Sequence, residues 1–231
     1  MGRLKSGPAY FDKRIQEVEN GKVVFDWGVS DYFKAVNSEA TVLTRLASYK
    51  DEVVADIIHM NSFQKIDEER LIIGMGFNGV VCLNMKERKI EWILGGMHDQ
   101  FGLTMKQHPH FHHTPRFDPR DNTLTIFLNV STSGHMKNSA RIQRYKIDPI
   151  KKKLISLEVL RDKGEQAATL GSVQVIENTV SIGFGNRSKG DYDFLELYQG
   201  KEVAWLRFKQ PELKAYRIYR RAWELDVLRN Q

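Results

Sequence analysis

Four segments of the chain share one pattern, in which a polar turn is followed by a short alternating strand. They are ENGKVVFDW (19–27), KERKIEWIL (86–94), PIKKKLISLEVL (149–160) and YQGKEVAWLRF (198–208). Repetition of one supersecondary unit predicts a repeat architecture, because each unit buries its apolar face only against its neighbours. Trp27, Trp92 and Trp205 lie in three of these segments. We interpret them as core residues rather than a sugar-binding platform.

Each later hairpin is preceded by two or three further runs of alternating or β-branched residues, with turn residues between them. This pattern is typical of antiparallel strands. Four strands ending in an outer hairpin are typical of a β-propeller blade. We therefore predict an all-β fold. Its parts are a partial blade over 10–27, an insert over 37–54, blades over about 55–94, 108–160 and 167–208, and a tail over 212–231.

These segments amount to about three and a half blades of four antiparallel strands, fewer than the four to eight of a typical propeller. An open arc would leave unpaired strand edges, which soluble proteins avoid. Residues 1–231 are thus predicted to form a single propeller domain or a partial one that a second chain, or self-association, completes. The weak helical spacing of Val42, Leu43 and Leu46 predicts a helical or irregular insert.

Composition narrows the range of partners. The formal net charge is +6, but the basic residues are scattered, and there is no basic stripe or reading motif of the kind that nucleic-acid-binding proteins carry. No apolar run reaches the roughly 20 residues of a membrane helix, and the first ten residues lack the apolar core of a secretory signal. We expect no nucleic-acid partner, no membrane association and, for the sequence as written, a cytoplasmic location.

The cysteine count and the glycine-containing turns argue against common cofactor sites. The single cysteine, Cys82, excludes an internal disulfide and a thiolate-rich zinc site, and its apolar neighbours predict burial. The GFNG and GFGN turns do not fit a phosphate-binding loop. We expect no cofactor.

The stretch QHPHFHHTPRF (107–117) holds four of the seven histidines. Alternation on a strand would put His108, His110 and His112 on one face and His113 on the other. Three imidazoles on one face fit zinc or copper, but Asp118 is the only carboxylate or thiol at ligand spacing. We therefore predict no metal site, with His108 and His110 as solvated loop residues, and leave His113 as a candidate for chemistry.

An ordered set of motifs resembles the bacterial aryl-sulfate sulfotransferase family. HMNSF, LIIGMGF, GVVCLN and EWILGG are followed by FHHTPRF, IFLNVSTSG and SARIQRYKID, and then by GSVQVIENTVSIGFG. The resemblance covers most of residues 12–221 and corresponds to roughly the C-terminal half to two-thirds of the family's six-bladed propeller. It implies transfer of a sulfuryl group from a small phenolic sulfate donor to a phenol acceptor, without a nucleotide donor. Members of this family are often exported.

The resemblance also implies roles for individual residues. His113 corresponds to the family's nucleophile, which becomes transiently sulfated, and His59 to a residue that protonates the leaving phenolate or holds charge on the sulfuryl group. Asn61 would donate hydrogen bonds to the sulfuryl oxygens. Arg116, three residues after His113, is a further candidate for substrate binding.

One departure from the family pattern leaves a second hypothesis open. The family carries an arginine on the strand after His-x-Asn, whereas here that position falls on Phe77 or Gly76, and no basic residue lies between Arg70 and Lys86. A weakened or inactive propeller that acts as a binding module is therefore the alternative to an active transferase.

Overall fold

The computed structural model describes residues 2–3, 9–36, 45–49, 52–56, 58–76, 78–129, 139–189, 191–209 and 216–219. Twenty strands and one helix lie in these ranges. They are β1 (Gly2–Arg3), β2 (Ala9–Tyr10), β3 (Arg14–Glu19), β4 (Lys22–Gly28), α1 (Val29–Ala35), β5 (Arg45–Tyr49), β6 (Glu52–Asp56), β7 (Ser62–Lys65), β8 (Arg70–Gly74), β9 (Val80–Asn84), β10 (Lys89–Leu94), β11 (His112–Asp118), β12 (Thr123–Leu128), β13 (Arg141–Asp148), β14 (Lys153–Arg161), β15 (Gln166–Ala167), β16 (Ser172–Ile176), β17 (Thr179–Gly183), β18 (Arg187–Lys189), β19 (Phe194–Tyr198) and β20 (Lys201–Leu206).

Three four-stranded antiparallel sheets follow one another along the chain. The first consists of β7–β10, the second of β11–β14, and the third of β16, β17, β19 and β20. A two-stranded sheet (β3 and β4), a small pair (β15 and β18) and a sheet in the order β1-β2-β6-β5 complete the described strands, and β2 pairs with β6 in parallel. The predicted all-β class and the antiparallel sheets are confirmed, while the propeller architecture of about three and a half blades stays a prediction.

Local turn chemistry explains the tight hairpins. Asn20 and Gly21, between β3 and β4, have φ angles of 48° and 76°, and Gln199 and Gly200, between β19 and β20, have 48° and 77°. Two consecutive residues with positive φ are typical of a type I′ turn, whose twist matches that of the flanking strands.

Apolar side chains on both faces of each sheet join neighbouring sheets. On β12, Leu124 and Ile126 pack in one cluster with Trp92 of the first sheet. Phe127, on the opposite face of the same strand, packs in another cluster with Val173 and Ile182 of the third sheet. This alternation follows from the two-residue period of a strand. The second sheet is therefore covered on both faces, and its first strand, β11, lies beside β7 and β8 on one side and β16 on the other.

The tryptophan prediction is confirmed in two of three cases. Trp27 and Trp92 are buried, with 2% and 3% of their surface exposed, whereas Trp205 is 65% exposed. The core prediction is wrong for Trp205, because it lies on the outermost strand of the third sheet, where no further sheet of the described chain packs against it. Cys82 is buried, as predicted.

One local prediction, for the insert, is wrong. The insert predicted over 37–54 is neither helical nor irregular where it is described, because Arg45–Tyr49 pairs with Glu52–Asp56 as antiparallel strands. Residues 37–44, 50 and 51 of the predicted insert lie outside the described residues. Helix α1 was not predicted, because seven residues are too short to show a helical period. The Asp31 carboxylate accepts a hydrogen bond from the Gly28 N–H at the start of this helix.

Within the described ranges, no helix is long and apolar enough to cross a membrane.

Candidate active site

The candidate site lies where the first strands of the three sheets begin. Asn61 bonds His112 where β7 and β11 begin, and Gln64 bonds Phe117 further along both strands. The two strands therefore run in the same direction. On the other side, the hydroxyl of Thr114 accepts a hydrogen bond from the N–H of Val173 in β16. The residues at the starts of these strands therefore come together at one end.

A glycine permits this close approach of the strands. A Cβ atom on Gly74 would lie 2.5 Å from Ser62 Oγ and 2.9 Å from Pro115 Cδ. The Gly74 carbonyl accepts a hydrogen bond of 3.1 Å from the Asn61 N–H. Position 74 therefore requires glycine, because a side chain there would clash with both β7 and β11.

His113 is held in one orientation by the asparagine that follows the next strand, β12. Its side chain is 8% exposed, and its Nδ1 lies 2.6 Å from Asn129 Oδ1. The amide nitrogen of Asn129 donates to the carbonyls of Ala167 and Leu170, both at 2.9 Å, so the oxygen of that amide must face His113. An amide oxygen only accepts, so Nδ1 carries the proton and the lone pair of the neutral ring lies on Nε2.

The surroundings keep His113 neutral. Burial lowers its pKa to about 4 by penalising the charged form. The hydrogen bond to Asn129 acts in the opposite direction, while the charges of His59 and Arg217 lower the pKa further. His113 is thus an uncharged imidazole at neutral pH, and His59 and Arg217 lie within electrostatic range of it.

His59 is oriented by an aspartate three residues earlier. The Nδ1 atom of His59 lies 2.6 Å from Asp56 Oδ2, and Lys13 Nζ lies 2.6 Å from Asp56 Oδ1. Burial alone would raise the pKa of Asp56, but the hydrogen bonds from His59 and Lys13 bring it below its ordinary value. The carboxylate therefore stays ionised and fixes the ring of His59, whose side chain is 34% exposed.

Asn61 stabilises the start of β11. Its amide nitrogen donates to the His112 carbonyl at 2.6 Å, and its amide oxygen accepts a hydrogen bond from Ser62 Oγ at 2.9 Å. One of the two amide N–H groups is therefore used by the backbone immediately before His113, and Asn61 connects the segment before β7, which carries His59, with β11.

Arg116 lies in a different environment from His113. The pairing of β11 with β12 shifts register between these two residues, and Thr114 between them has a φ of 46°. The guanidinium of Arg116 donates to the Phe63 carbonyl at 3.2 Å and to Tyr219 Oη at 3.0 Å. It borders a cavity of about 360 Å³ further along β11, whose lining includes Gln64, Asp118, Arg120, Thr125 and Gln174.

The histidine stretch before His113 does not form the predicted alternating face. Strand β11 begins only at His112, and the preceding residues form turns around Pro109. His108 and His110 are stacked, with ring centroids 5.3 Å apart, and both are half-buried rather than solvated as predicted. Across the described ranges, no three His, Cys, Asp or Glu side chains are grouped so as to hold a metal ion.

The side chain of His112, next to His113 in the chain, is completely buried. Its Nδ1 lies 2.7 Å from the Pro109 carbonyl. Burial lowers its pKa to about 4, opposed by the carbonyls of Pro109 and Gly76 and assisted by the neighbouring His113 and His110.

Sequence reasoning did not assign roles to Asn129, Asp56 or Arg217. Asn129 ends the apolar run IFLN, where a polar residue that follows a buried strand is a usable signal. Asp56 precedes His59 by three residues, which is compatible with a side-chain pair, whereas Arg217 has no local signal. Phe77, one of the two positions proposed for the missing arginine, lies outside the described residues.

Comparison with known proteins supplies the context for this geometry. The model of the family described as Arylsulfotransferase (ASST) matches residues 8–191. A search of curated proteins gives no match. The matched range includes His59, Asn61, His113, Arg116 and Asn129.

Proposed function

Because the chain belongs to the arylsulfotransferase (ASST) family, we propose that it transfers a sulfuryl group between phenolic compounds through a transient sulfohistidine at His113. Family membership by itself suggests a sulfotransferase. The observation that carries the finer proposal is the hydrogen bond from His113 Nδ1 to Asn129, which leaves the lone pair of a neutral ring on Nε2.

In the first half of the reaction, Nε2 of His113 attacks the sulfur of an aryl sulfate. The N–S bond forms while the bond between sulfur and the aryl oxygen breaks, and the phenolate leaves with the electron pair. His59 provides the proton for this oxygen, and Asp56 holds its ring during the transfer. The products are a phenol and sulfated His113.

In the second half, an acceptor phenol attacks the sulfur of the sulfohistidine. His59, now without its proton, removes the proton of the acceptor hydroxyl, and the N–S bond breaks with its electron pair returning to Nε2. The amide of Asn61 would donate to the sulfuryl oxygens in both halves. His113 is regenerated neutral and His59 protonated, so the cycle needs no cofactor.

The test is incubation of the protein with a chromogenic aryl sulfate and a phenol acceptor. His113→Ala should abolish transfer, because the covalent route has no substitute nucleophile. His59→Ala should leave activity reduced by about 10²–10⁴-fold, and Asn61→Ala by about 10²–10³-fold. His98→Ala, a histidine that contacts Tyr32 edge to face, serves as the matched control and should keep full activity.

Mass spectrometry of protein quenched with donor alone tests the intermediate directly. The peptide that carries His113 should gain one sulfuryl group in the wild-type protein and none in His113→Ala. Transfer that persists in His113→Ala would overturn the proposed mechanism.

For the architecture, we propose that the three four-stranded sheets are blades of a propeller that a second chain or a second copy completes. Alternating packing between consecutive sheets and adjacent first strands supports this arrangement. Solution mass measured by light scattering tests it, and a strict monomer with full activity would contradict the need for a second chain.

A binding module without catalysis is the second candidate. No basic residue lies between Arg70 and Lys86, and a Cβ at position 76 would lie 3.1 Å from His59 Cβ, so a side chain there is crowded. Binding of an aryl sulfate without sulfation of any histidine would favour this function over transfer.

A further inference from the structure

A short segment, Tyr216 to Tyr219, lies across the start of β16. The Gly171 N–H donates to the Tyr216 carbonyl at 3.4 Å. The hydroxyl of Ser172 donates to the Ile218 carbonyl at 2.9 Å and accepts from the Ile218 N–H at 3.0 Å. One hydroxyl thus uses both its donor and its acceptor capacity on this segment, and Ser172 is fully buried.

The same segment also contacts Asn61, which precedes β7, the strand on the other side of β11. Arg217 donates from Nη2 to the Asn61 carbonyl, and its guanidinium lies 5.0 Å from the centroid of the Tyr216 ring. Asn61 in turn donates to the His112 carbonyl. The segment therefore connects the starts of β7 and β16. Through Asn61, Arg217 is linked by hydrogen bonds to the carbonyl of His112, the residue before His113.

The guanidinium of Arg217 is incompletely hydrogen-bonded. Its Nε is buried and has no partner among the described residues. A buried N–H without an acceptor costs roughly 1–3 kcal/mol, and more when the group is charged. An oxyanion would satisfy it, because a guanidinium binds carboxylate, phosphate or sulfate oxygens through paired N–H groups.

The guanidinium of Arg217 is placed where it can bind the oxygens of a sulfuryl group that reacts at His113. Arg217 bonds the Asn61 carbonyl, and the Asn61 amide bonds the His112 carbonyl, so the guanidinium lies beside the start of β11. The charge of Arg217 is accordingly one of the causes that lower the pKa of His113. A sulfuryl group bound at Nε2 of His113 carries negative charge on its peripheral oxygens, and fixed donors aimed at those oxygens stabilise the transition state.

We propose that Arg217 binds the sulfuryl oxygens of the aryl sulfate, and so supplies the cation that is missing between Arg70 and Lys86. The inference rests on the proposed function for its catalytic consequence, but its binding component stands independently. Arg217 is then a substrate-binding residue that selects anionic sulfate esters over neutral phenols.

The test compares Arg217→Gln and Arg217→Lys with Arg207→Gln, a matched loss of an arginine beside a different cavity. Affinity for an arylsulfonate, which has the sulfuryl oxygens but no aryl ester to cleave, is measured by calorimetry alongside affinity for the matching neutral phenol. Arg217→Gln should weaken arylsulfonate binding by roughly 10- to 100-fold, the value of a charge-assisted hydrogen bond, and leave phenol binding unchanged. Arg217→Lys should give an intermediate loss, because it keeps the charge but not the paired donors.

Failure of this inference is distinguishable from failure of the proposed function. Arylsulfonate affinity equal in Arg217→Gln and wild type, or a parallel loss of phenol affinity, would overturn the role of Arg217 while transfer through His113 stands. Conversely, the wild type could fail to sulfate His113 while Arg217→Gln still loses arylsulfonate binding. That result would support the anion site and reject the transfer reaction. If Arg217→Gln does not fold, Arg217→Lys decides between the same outcomes.

Discussion

The buried histidine pair should make the protein lose stability between pH 7 and pH 5, before most carboxylates titrate. His112 and His113 each have a native pKa of about 4, against an ordinary value of 6.5 in the unfolded chain. Below pH 6.5 the unfolded chain binds protons that the native protein excludes, so the free energy of unfolding falls as pH falls, and the fall levels off below about pH 4.

The size of this effect follows from the two pKa values. One pKa unit corresponds to about 1.4 kcal/mol, so each histidine lowers the free energy of unfolding by about 2 kcal/mol between pH 7 and pH 5. Both residues together give about 4 kcal/mol, a large share of the roughly 5–15 kcal/mol that stabilises a typical protein.

The assay is urea unfolding of the wild type and of His112→Asn at pH 7 and pH 5. Asparagine keeps a donor for the Pro109 carbonyl but does not titrate, so this variant should lose about 2 kcal/mol less than the wild type over the interval. NMR titration of the imidazole signals gives the two pKa values directly, whether or not the variant folds. Equal losses in the two proteins, or imidazoles that titrate near pH 6.5, would refute the reasoning.

Four further predictions follow from the contacts of the site and the core. Asn129→Ala should reduce kcat about 10²-fold with little change in KM, because the ring of the nucleophile loses its orientation; steady-state kinetics checks this. Asp56→Asn should reduce kcat by less than the 10²–10⁴ expected for loss of the general acid, and a kcat equal to wild type would exclude an orienting role. Gly74→Ala should destabilise the fold by about 1–3 kcal/mol through its clash between strands, measured by urea unfolding. In the same assay, Trp92→Ala should cost about 3–5 kcal/mol, whereas Trp205→Ala should stay within about 0.5 kcal/mol.

Sequence pattern sufficed for the sheets because their signals are local. Alternation and turn chemistry, such as the Asn20-Gly21 turn, depend on residues close in the chain. Alternation does not tell whether another sheet covers an outer strand, so it could not separate buried Trp92 from exposed Trp205. Pro109 interrupts what reads as one strand, and the periodicity before His112 therefore predicted the wrong face for the histidines.

For the site, the resemblance supplied His113 as the candidate nucleophile but not the residues that orient its ring. Asn129 acts on His113 only because its amide is held by Ala167 and Leu170, about forty residues later, and no local pattern encodes that contact. Arg217 reaches Asn61 over an even longer separation. Such pairings depend on how sheets pack, which a single sequence does not display.

The two hydrogen bonds from Asn129, to Ala167 at the end of β15 and to Leu170 after it, have a consequence for the order of folding. While the chain emerges from the ribosome, the second sheet can pair its strands before the third exists, but the amide of Asn129 then lacks the carbonyls that turn its oxygen toward His113. The imidazole stays free to rotate and to take either tautomer until residues 167–170 dock. The tautomer of His113 is thus fixed only after residues 167–170 have been made.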